Sequence, residues 1–331
     1  MADRVLLLGA AGTVGSRVAL ALRESGFDVR CLCRTPGTRN ALQAQAAGCQ
    51  IHWGDYNETA TLQSALAGCR SLMHCAAPYP SSGLRFRRAG MLARWVPQLQ
   101  AVLRLARTAG IERVVFTSSL STIGLAHAGQ SADESLPFNP RRQGGGNYYP
   151  VKHALEQAVL QGATEFPPTV IVNPTGLVGE GSRNPELSGA CVFFGGLTPF
   201  MVNARLNFVD THDCAKGHVL ALQRGVPGQR YILGGVNTTL KDFADAVTTM
   251  AGISRPIVLP RALARLGGYW GELRGLATGK TSAMSLTSYY HLAYGQHYSS
   301  AKAQRDLGYV PTTDLHNAIE RELRWHGAKA S

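Results

Sequence analysis

The chain has 331 residues, of which 45% are hydrophobic and 16% charged, and its formal net charge is +12. This composition excludes a disordered chain, and no apolar run is long enough to span a bilayer. The basic residues are spread out and accompany no nucleic-acid-binding motif. We therefore expect an anionic small-molecule ligand rather than nucleic acid, and peripheral contact with a membrane surface stays open. The N-terminus has no secretory pattern, so a cytoplasmic protein is expected.

Strand patterns alternate with helical patterns over the first half of the chain. Strands are predicted at residues 4–9, 29–34, 51–53, 71–76, 114–118 and 169–172, and a helix begins at Tyr148 and continues to residue 160. Such alternation predicts right-handed crossovers and a parallel sheet covered on both faces.

After Asn173 this rhythm breaks. A loop rich in Gly, Pro and Ser is followed by a predicted turn and helix at 208–222, a short strand at 231–233 and a last helix at 314–326. The expected fold class is α/β, a Rossmann-type doubly wound parallel sheet with a smaller C-terminal substrate-binding lobe. The Rossmann domain is assigned to residues 1–173 and about 206–236, and the lobe to about 174–205 and 237–331.

A glycine-rich G-x-x-G-x-x-G turn follows the first strand. Glycines here allow a tight turn, close approach of the backbone to a pyrophosphate and close helix–sheet packing, and the next helix points its N-terminus at the anion. We therefore predict a dinucleotide site whose phosphate-binding residues are Gly9, Ala11, Gly12, Thr13, Val14 and Gly15.

The end of the second strand distinguishes NAD from NADP. An acidic residue there would bind the ribose hydroxyls of NAD, but this chain has Arg34, with Arg39 nearby. A guanidinium can pair with the 2′-phosphate of NADP, so NADP(H) is preferred; NAD(H) and a merely solvated Arg34 stay open. Further cofactor contacts are predicted after the third and fourth strands, at Asp55, Tyr56, Cys75, Ala76 and Ala77.

Tyr148 and Lys152 are four residues apart at the start of a helical pattern, so both side chains fall on one face. An ammonium beside a phenol lowers the phenol pKa. Bringing that pKa from about 10 to neutrality takes about 4 kcal/mol, more than one exposed charge supplies, so a second electrostatic partner is expected. Ser119 ends the fifth strand, where a hydroxyl points into the ligand crevice. These three residues are the predicted catalytic set.

Together these motifs resemble the extended short-chain dehydrogenase/reductase family, the NAD-dependent epimerase/dehydratase superfamily. The likeness is strongest to its dihydroflavonol reductase, 3β-hydroxysteroid dehydrogenase and hopanoid-associated sugar epimerase group. It covers nearly the whole chain and rests on residues 114–119, 148–152, 172–176, 208–213, 231–235, 299–303 and 307–309. The resemblance implies catalytic roles for Ser119, Tyr148 and Lys152. It also implies a cofactor site that includes Tyr148, Lys152, Thr117, Asn173, Pro174 and Thr175.

Three features depart from the family pattern. Trp95 stands where the family usually has an Asn, and its helix region is unusually basic, with Arg85, Arg87, Arg88 and Arg94. Three consecutive glycines precede the catalytic helix. The arginines indicate either an acidic group on the substrate or a solvated basic face. The glycines indicate either a loop that closes over substrate or disorder.

The expected activity is a reversible ketone–alcohol oxidoreduction with NADPH as hydride donor and a small molecule as substrate. The segment 176–200 is apolar and either lines a pocket for a bulky sterol, terpenoid or flavonoid-like molecule or belongs to the lobe core; its residues are Leu187, Val192, Phe193, Phe194, Leu197 and Phe200. The alternatives are a nucleotide-sugar epimerase or dehydratase with tightly bound NAD and a non-catalytic NADP-sensing protein. A homodimer through the long fourth and fifth helices is a family-level expectation, and no metal site is predicted.

Overall fold

The computed structural model of the protein describes residues 3–327, apart from residues 77, 81–82, 183–189, 191–199, 279–284 and 313. In the described residues the strands are β1 Arg4–Leu8, β2 Asp28–Cys33, β3 Gln50–Trp53, β4 Ser71–His74, β5 Arg113–Thr117, β6 Ser131–Ala132, β7 Thr169–Pro174, β8 Gly176–Val178, β9 Phe200–Met201, β10 Arg205–Asp210, β11 Arg230–Leu233, β12 Val236–Thr239, β13 Ile257–Val258 and β14 His297–Tyr298.

The helices of the same residues are α1 Thr13–Glu24, α2 Arg39–Ala46, α3 Thr59–Leu66, α4 Arg88–Thr108, α5 Pro140–Gln143, α6 Tyr148–Gln161, α7 Thr211–Arg224, α8 Leu240–Ala251, α9 Arg261–Thr278, α10 Leu286–Ala293, α11 Ala301–Leu307 and α12 Leu315–Trp325. Two short 3₁₀ helices lie at Arg85–Arg87 and Leu120–Thr122. No helix in this part of the chain combines the length and the apolar character that a bilayer crossing requires.

Seven parallel strands form the central sheet in the order β11-β7-β5-β4-β1-β2-β3. β1 pairs with β2 on one side and with β4 on the other, so the direction of winding reverses between β1 and β4. Ligands of such sheets bind outside the carboxyl ends of the strands at this reversal. The Rossmann-type sheet predicted from the sequence is confirmed.

Both faces of the sheet are covered because its central strands are apolar on both sides. Val5 and Leu7 of β1 belong to a buried cluster with α1 and α7, whereas Leu6 and Leu8 belong to one with α3, α4 and α6. This alternation follows the two-residue period of a strand. Each fully buried leucine contributes about 2 kcal/mol, so these two layers hold the strand ends in fixed positions.

A smaller sheet joins segments on both sides of the predicted domain boundary. β10 lies between β8 and β12, and its sheet packs on α8 and α12 through residues that include Phe243, Val247 and Ile319. The sequence predicted a turn and a helix over residues 208–222; the helix is present, but the segment before it is a strand that pairs with strands distant in the chain. α7 begins only after Asp210, whose carboxylate accepts the N–H of His212. The division into domains stays a prediction.

The turn between β1 and α1 depends on glycine at two positions. Gly9 has φ of +87°, and a Cβ there would lie 2.7 Å from the backbone of Cys75. Gly15 packs on the same turn, where a Cβ would lie 2.6 Å from the carbonyl carbon of Gly9. The absence of side chains at these positions therefore lets α1 approach the ends of β1 and β4.

Replacing Gly15 by Ala is expected to lower the free energy of unfolding by about 1–3 kcal/mol, because the added methyl group meets backbone that cannot move without opening the turn. Thermal unfolding followed by circular dichroism measures the change. Gly90→Ala in α4 is the control, since a Cβ there meets nothing within 4 Å. That variant should gain about 0.5–1 kcal/mol from the loss of a helical glycine. Equal stability of the two variants would contradict the packing role of Gly15.

Candidate active site

A cavity of about 440 Å³ opens at the carboxyl ends of the central strands. Its lining includes many of the predicted cofactor residues, namely Gly9, Ala11, Gly12, Arg34, Asp55, Tyr56, Cys75 and Ala76. The rest of the lining includes Arg94 and Trp95 of α4 and Leu155 of α6. The cavity lies where the winding of the sheet reverses, which is the dinucleotide position in this fold.

The start of α1 meets this cavity without a capping side chain. Gly12, at the N-cap, lines the cavity, and the first turn carries neither a side-chain cap nor an acidic residue. The predicted residues Thr13, Val14 and Gly15 form that first turn. Asn40 of α2 supports it by donating to the carbonyl of Ala11 at 3.0 Å. An uncapped helix N-terminus beside glycine backbone fits a pyrophosphate group.

Arg34 stands at the mouth of the cavity. Its side chain is 77% exposed, and its Nη1 lies 3.7 Å from Oδ2 of Asp55. Such an exposed ion pair is weak, so the guanidinium can exchange this carboxylate for a phosphate of a ligand. Arg39 is engaged elsewhere: it lies 3.5 Å above the ring centre of Trp325 and donates to the carbonyl of the same residue at 2.8 Å.

Ser119, Tyr148 and Lys152 are brought together as the sequence predicted. Tyr148 Oη donates to Ser119 Oγ at 3.1 Å, and Lys152 Nζ lies 5.9 Å from the centre of the Tyr148 ring. Ser119 Oγ also accepts the N–H of Ser121, which holds the hydroxyl at the end of β5. Tyr149 instead lies buried in an aromatic cluster, so the hydrogen bond singles out Tyr148. The roles of these residues in catalysis and cofactor binding stay predictions.

Lys152 carries an ammonium group held out of water. The side chain is 7% exposed and forms no hydrogen bond or ion pair with any residue that the structure describes. Burial lowers the pKa of Lys152 to about 8, and the nearby carboxylate of Glu156 opposes this effect.

The pKa of Tyr148 shifts in the direction opposite to the one expected from the sequence. Burial raises the pKa of Tyr148, and its hydrogen bond to Ser119 offsets only part of that increase. The net shift is therefore upward, and the lowering of this pKa by Lys152 stays a prediction. The physical reason is that the phenolate would lose its hydration in a site whose cation is itself easily deprotonated.

A buried carboxylate lies one helical turn beyond Lys152. Glu156 accepts a hydrogen bond from Asn173 Nδ2 at 2.8 Å and pairs with Arg230 at 3.1 Å. Asn173, predicted as a cofactor residue, also donates to the backbone carbonyl of Ser119 at 3.1 Å. The amide thus ties the end of β5 to α6. Sequence reasoning missed Glu156, although its spacing from Lys152 places it on the same helix face.

The other predicted residues lie around this set. The hydroxyl of Thr117 is buried and lies 3.0 Å from His218 Nε2 of α7. Pro174 ends β7, and Thr175 follows it in a buried position. Ala77 lies outside the described residues. The structure places Thr117 against α7 and leaves cofactor contacts of these residues as predictions.

Aromatic side chains pack against the ring of Tyr148. The ring centre of Tyr79 lies at 4.9 Å and that of His291 at 4.5 Å. Removal of water from this cluster lowers the pKa of His291 to about 4, so the imidazole is neutral at pH 7. Sequence reasoning missed both residues because neither belongs to a motif and they come from segments far apart in the chain.

The three consecutive glycines at residues 144–146 form a tightly held turn before α6. Arg88 of α4 donates to the carbonyl of the first at 2.8 Å and to that of the third. Tyr294 Oη accepts the N–H of Gly145 at 2.9 Å, and a side chain at Gly145 would collide with Tyr290. Arg88 therefore holds the backbone of this turn, and closure of the turn over substrate stays a prediction.

Comparison with known proteins agrees with this fold. Residues 5–234 match the NAD dependent epimerase/dehydratase family. The chain belongs to this family, the extended short-chain dehydrogenase/reductases. It is accordingly an NAD(P)-dependent enzyme that acts on hydroxyl and keto groups.

Relatives match over nearly the full chain. A Synechocystis protein, provisionally described as a dihydroflavonol 4-reductase, is 33% identical over 98% of this chain and 95% of its own. The 4-hydroxy-2-methyl-3-oxo-4-farnesyl-3,4-dihydroquinoline-1-oxide ketoreductase of Stigmatella aurantiaca is 29% identical, over 93% of this chain and 92% of its own. The crystal structure of gox2253 is similar with a TM-score of 0.79 and 31% identity, covering 98% of each chain.

Replacing Lys152 by Met is expected to stabilise the fold at neutral pH. Because burial lowers the pKa of Lys152 from 10.5 to about 8, the charged form costs the folded state up to about 3 kcal/mol below pH 8. The cost declines between pH 8 and 10.5, where the folded protein has released the proton and the unfolded chain still holds it. The variant should therefore be more stable than the wild type at pH 7 and lose this advantage towards pH 10.

Urea unfolding at several pH values measures this difference. Lys241→Met is the matched control, because Lys241 is exposed and paired with Asp245, so its replacement should change stability by less than about 1 kcal/mol at each pH. A Lys152→Met protein that is less stable than the wild type at pH 7 would refute the assigned desolvation.

Proposed function

We propose that the protein is an NADP(H)-dependent oxidoreductase that interconverts a ketone and a secondary alcohol, with Ser119, Tyr148 and Lys152 as catalytic residues. The observation that carries the proposal is the 3.1 Å hydrogen bond from Tyr148 to Ser119 beside the buried ammonium of Lys152. A phenol that shares its proton with a hydroxyl next to a cation can exchange a proton with a substrate oxygen.

In the direction of reduction, the nicotinamide cofactor supplies a hydride when bound. Tyr148 gives its proton to the carbonyl oxygen, and Ser119 hydrogen-bonds the same oxygen and positions it. Lys152 stabilises the phenolate that remains, and its N–H groups are free to bind ribose hydroxyls. In the direction of oxidation, the phenolate takes the proton back. Asn173 and Glu156 hold the end of β5 and α6 in fixed relative positions during both steps.

The preference for NADP(H) rests on Arg34. The side chain is exposed at the mouth of the cavity, and its ion pair with Asp55 is long enough to be replaced by a phosphate. A guanidinium forms paired hydrogen bonds with phosphate oxygens, which a 2′-phosphate offers and a 2′-hydroxyl does not.

The proposed substrate is a bulky, mainly apolar ketone. Support comes from the rings of Tyr79 and His291 beside the proton donor and from the ketoreductase relative, whose named substrate carries a farnesyl group. Of the apolar segment noted in the sequence, Phe200 lies in β9 with its side chain 41% exposed. Leu187, Val192, Phe193, Phe194 and Leu197 lie outside the described residues.

Nucleotide-sugar epimerisation is the competing activity within the family. It requires NAD that stays bound and is not consumed, so the protein would carry NAD through purification. Arg34 in place of an acidic residue favours NADP(H) instead. Extraction of bound nucleotide from the purified protein shows whether NAD is retained. Assays of NADPH consumption with a panel of ketones and of epimerisation with nucleotide sugars then distinguish the two activities.

Replacing Tyr148 by Phe is expected to lower kcat about 10²–10⁴-fold, because the variant has no proton to donate. Cofactor affinity should change little, since the ring and Lys152 remain. NADPH absorbance measures turnover with the best ketone of the panel, and fluorescence titration measures NADPH binding. Tyr149→Phe is the matched control and should stay active. Full activity of Tyr148→Phe, or equal losses in both variants, would overturn the proposed role.

Replacing Arg34 by Ala is expected to raise KM for NADPH about ten-fold or more while leaving KM for NADH nearly unchanged, because the variant loses a charge-assisted contact with the 2′-phosphate. Arg39→Ala is the control, since Arg39 is held by Trp325. Steady-state kinetics with both cofactors measure the effect. An unchanged NADPH KM in Arg34→Ala would show that this residue does not select the cofactor.

A further inference from the structure

α9 has its large apolar side chains on the outside. Leu263, Leu266, Trp270 and Leu273 follow the spacing of a single helix face, and we call them the outer stripe. Trp270 is 71% exposed and Leu266 is 65% exposed. This is the reverse of an ordinary surface helix, whose apolar side faces the core.

The opposite face of α9 is built from small residues. Ala264, Gly268 and Gly271 are turned towards the protein, and a Cβ at Gly268 would lie 3.2 Å from Leu286 of α10. Glu272 is buried on this inner face, where its Oε1 accepts the N–H of Gly83 at 2.8 Å. α9 is thus attached closely by its inner face, so the outer stripe is not a core surface displaced by poor packing.

Positive charges border the outer stripe. At about 100° per residue, Arg274 lies about 20° beyond Leu263 at one edge of the stripe. Arg265 lies about 80° beyond Leu273 on the other side, beside Tyr269, and Arg261 is exposed at the first residue of the helix. The only acidic residue between positions 255 and 278 is the buried Glu272. The outward surface of α9 therefore combines aliphatic side chains, a tryptophan and arginines without an exposed carboxylate.

The apolar surface continues before α9. Ile257 and Val258 of β13 are both exposed, and β13 pairs with β9, where Phe200 is also exposed. Large exposed apolar side chains concentrated in one region of this kind indicate an interaction surface. A second copy of the same face would bring the arginines of two α9 helices close together with no exposed acid from α9 to neutralise them, which disfavours self-association.

We propose that the outer stripe of α9 docks the enzyme onto the surface of an anionic lipid bilayer. Leucine and tryptophan side chains would enter the region between head groups and acyl chains, and Arg261, Arg265 and Arg274 would contact lipid phosphates. Trp270 and Tyr269 are the residue types that favour this interface. The helix lies in the plane of the membrane in this arrangement and does not cross it.

The position of α9 relative to the active site gives this docking a purpose. α9 packs on α10, and α10 carries His291, whose ring lies 4.5 Å from that of Tyr148. The substrate side of the site is therefore one helix away from the docking surface. An apolar substrate dissolved in the bilayer would reach the site without crossing bulk water. The docking itself does not depend on the proposed reaction.

Flotation of the purified full-length chain with vesicles tests the proposal. The wild type should float with mixed phosphatidylglycerol and phosphatidylcholine vesicles, float less at high salt, and stay in solution with phosphatidylcholine alone. Replacing three residues of the outer stripe, Leu266→Ser/Trp270→Ser/Leu273→Ser, should weaken binding at least about ten-fold. Arg261→Gln/Arg265→Gln/Arg274→Gln should weaken it by a similar factor and remove the salt dependence.

The matched control replaces three scattered apolar residues that are each more than half exposed, Leu42→Ser/Val226→Ser/Val310→Ser, and should float like the wild type. Brominated lipids should quench the fluorescence of the wild type but not of Trp270→Phe, which reports insertion in a folded protein. Absence of flotation, or equal flotation of the stripe variant, overturns the proposal. The proposal is also overturned if analytical ultracentrifugation shows that the wild type is an oligomer and the stripe variant is a monomer. None of these readouts requires turnover, so failure of the proposed reaction would leave them unaffected.

Discussion

The buried charge of Lys152 is the constraint around which this enzyme is arranged. An ammonium without a hydrogen-bonding partner destabilises a protein interior. Glu156 is close enough to raise the pKa of Lys152, but its carboxylate is shared with Asn173 and Arg230 and does not bond the ammonium. The apolar layers on both faces of the central sheet supply the stability that permits such a charge to persist, and the same layers fix the ends of β4 and β5 around it.

Burial shifts the pKa values of the two groups that the proposed reaction needs in opposite directions: it raises the pKa of Tyr148 and lowers the pKa of Lys152. It favours the neutral form of both Tyr148 and Lys152, although the chemistry uses the phenolate and the ammonium. Burial therefore favours an uncharged pair, a phenol beside an amine. On the proposed mechanism, the charges of a bound cofactor must supply the remaining electrostatic stabilisation. The sequence analysis likewise requires a second electrostatic partner to lower the pKa of Tyr148. Lys152 alone is not sufficient for that shift.

The sequence predicted those parts of the molecule that depend on local patterns. The central strands, the glycine turn and the pairing of Tyr148 with Ser119 follow from two-residue and four-residue spacings and from strand order, so they can be read from a single chain. The strand β10 is not predicted, because its partners β8 and β12 are distant in sequence. Tyr79 and His291 are missed for the same reason, and the role of Arg88 cannot be predicted because its shorter hydrogen bonds go to backbone carbonyls far away in the sequence. Strand pairings and site residues that depend on contacts between distant segments cannot be predicted from local sequence patterns.

A short strap joins the surface helix to the catalytic helix. Gly83 donates to Glu272 of α9 at 2.8 Å, and the neighbouring carbonyl of Leu84 accepts from Asn147, the residue before Tyr148, at 2.7 Å. Two consecutive residues thus hold α9 at one end and the start of α6 at the other. These two bonds connect α9 to the start of α6 through adjacent residues. The position of α9 and the orientation of the Tyr148 side chain are therefore coupled through this short segment.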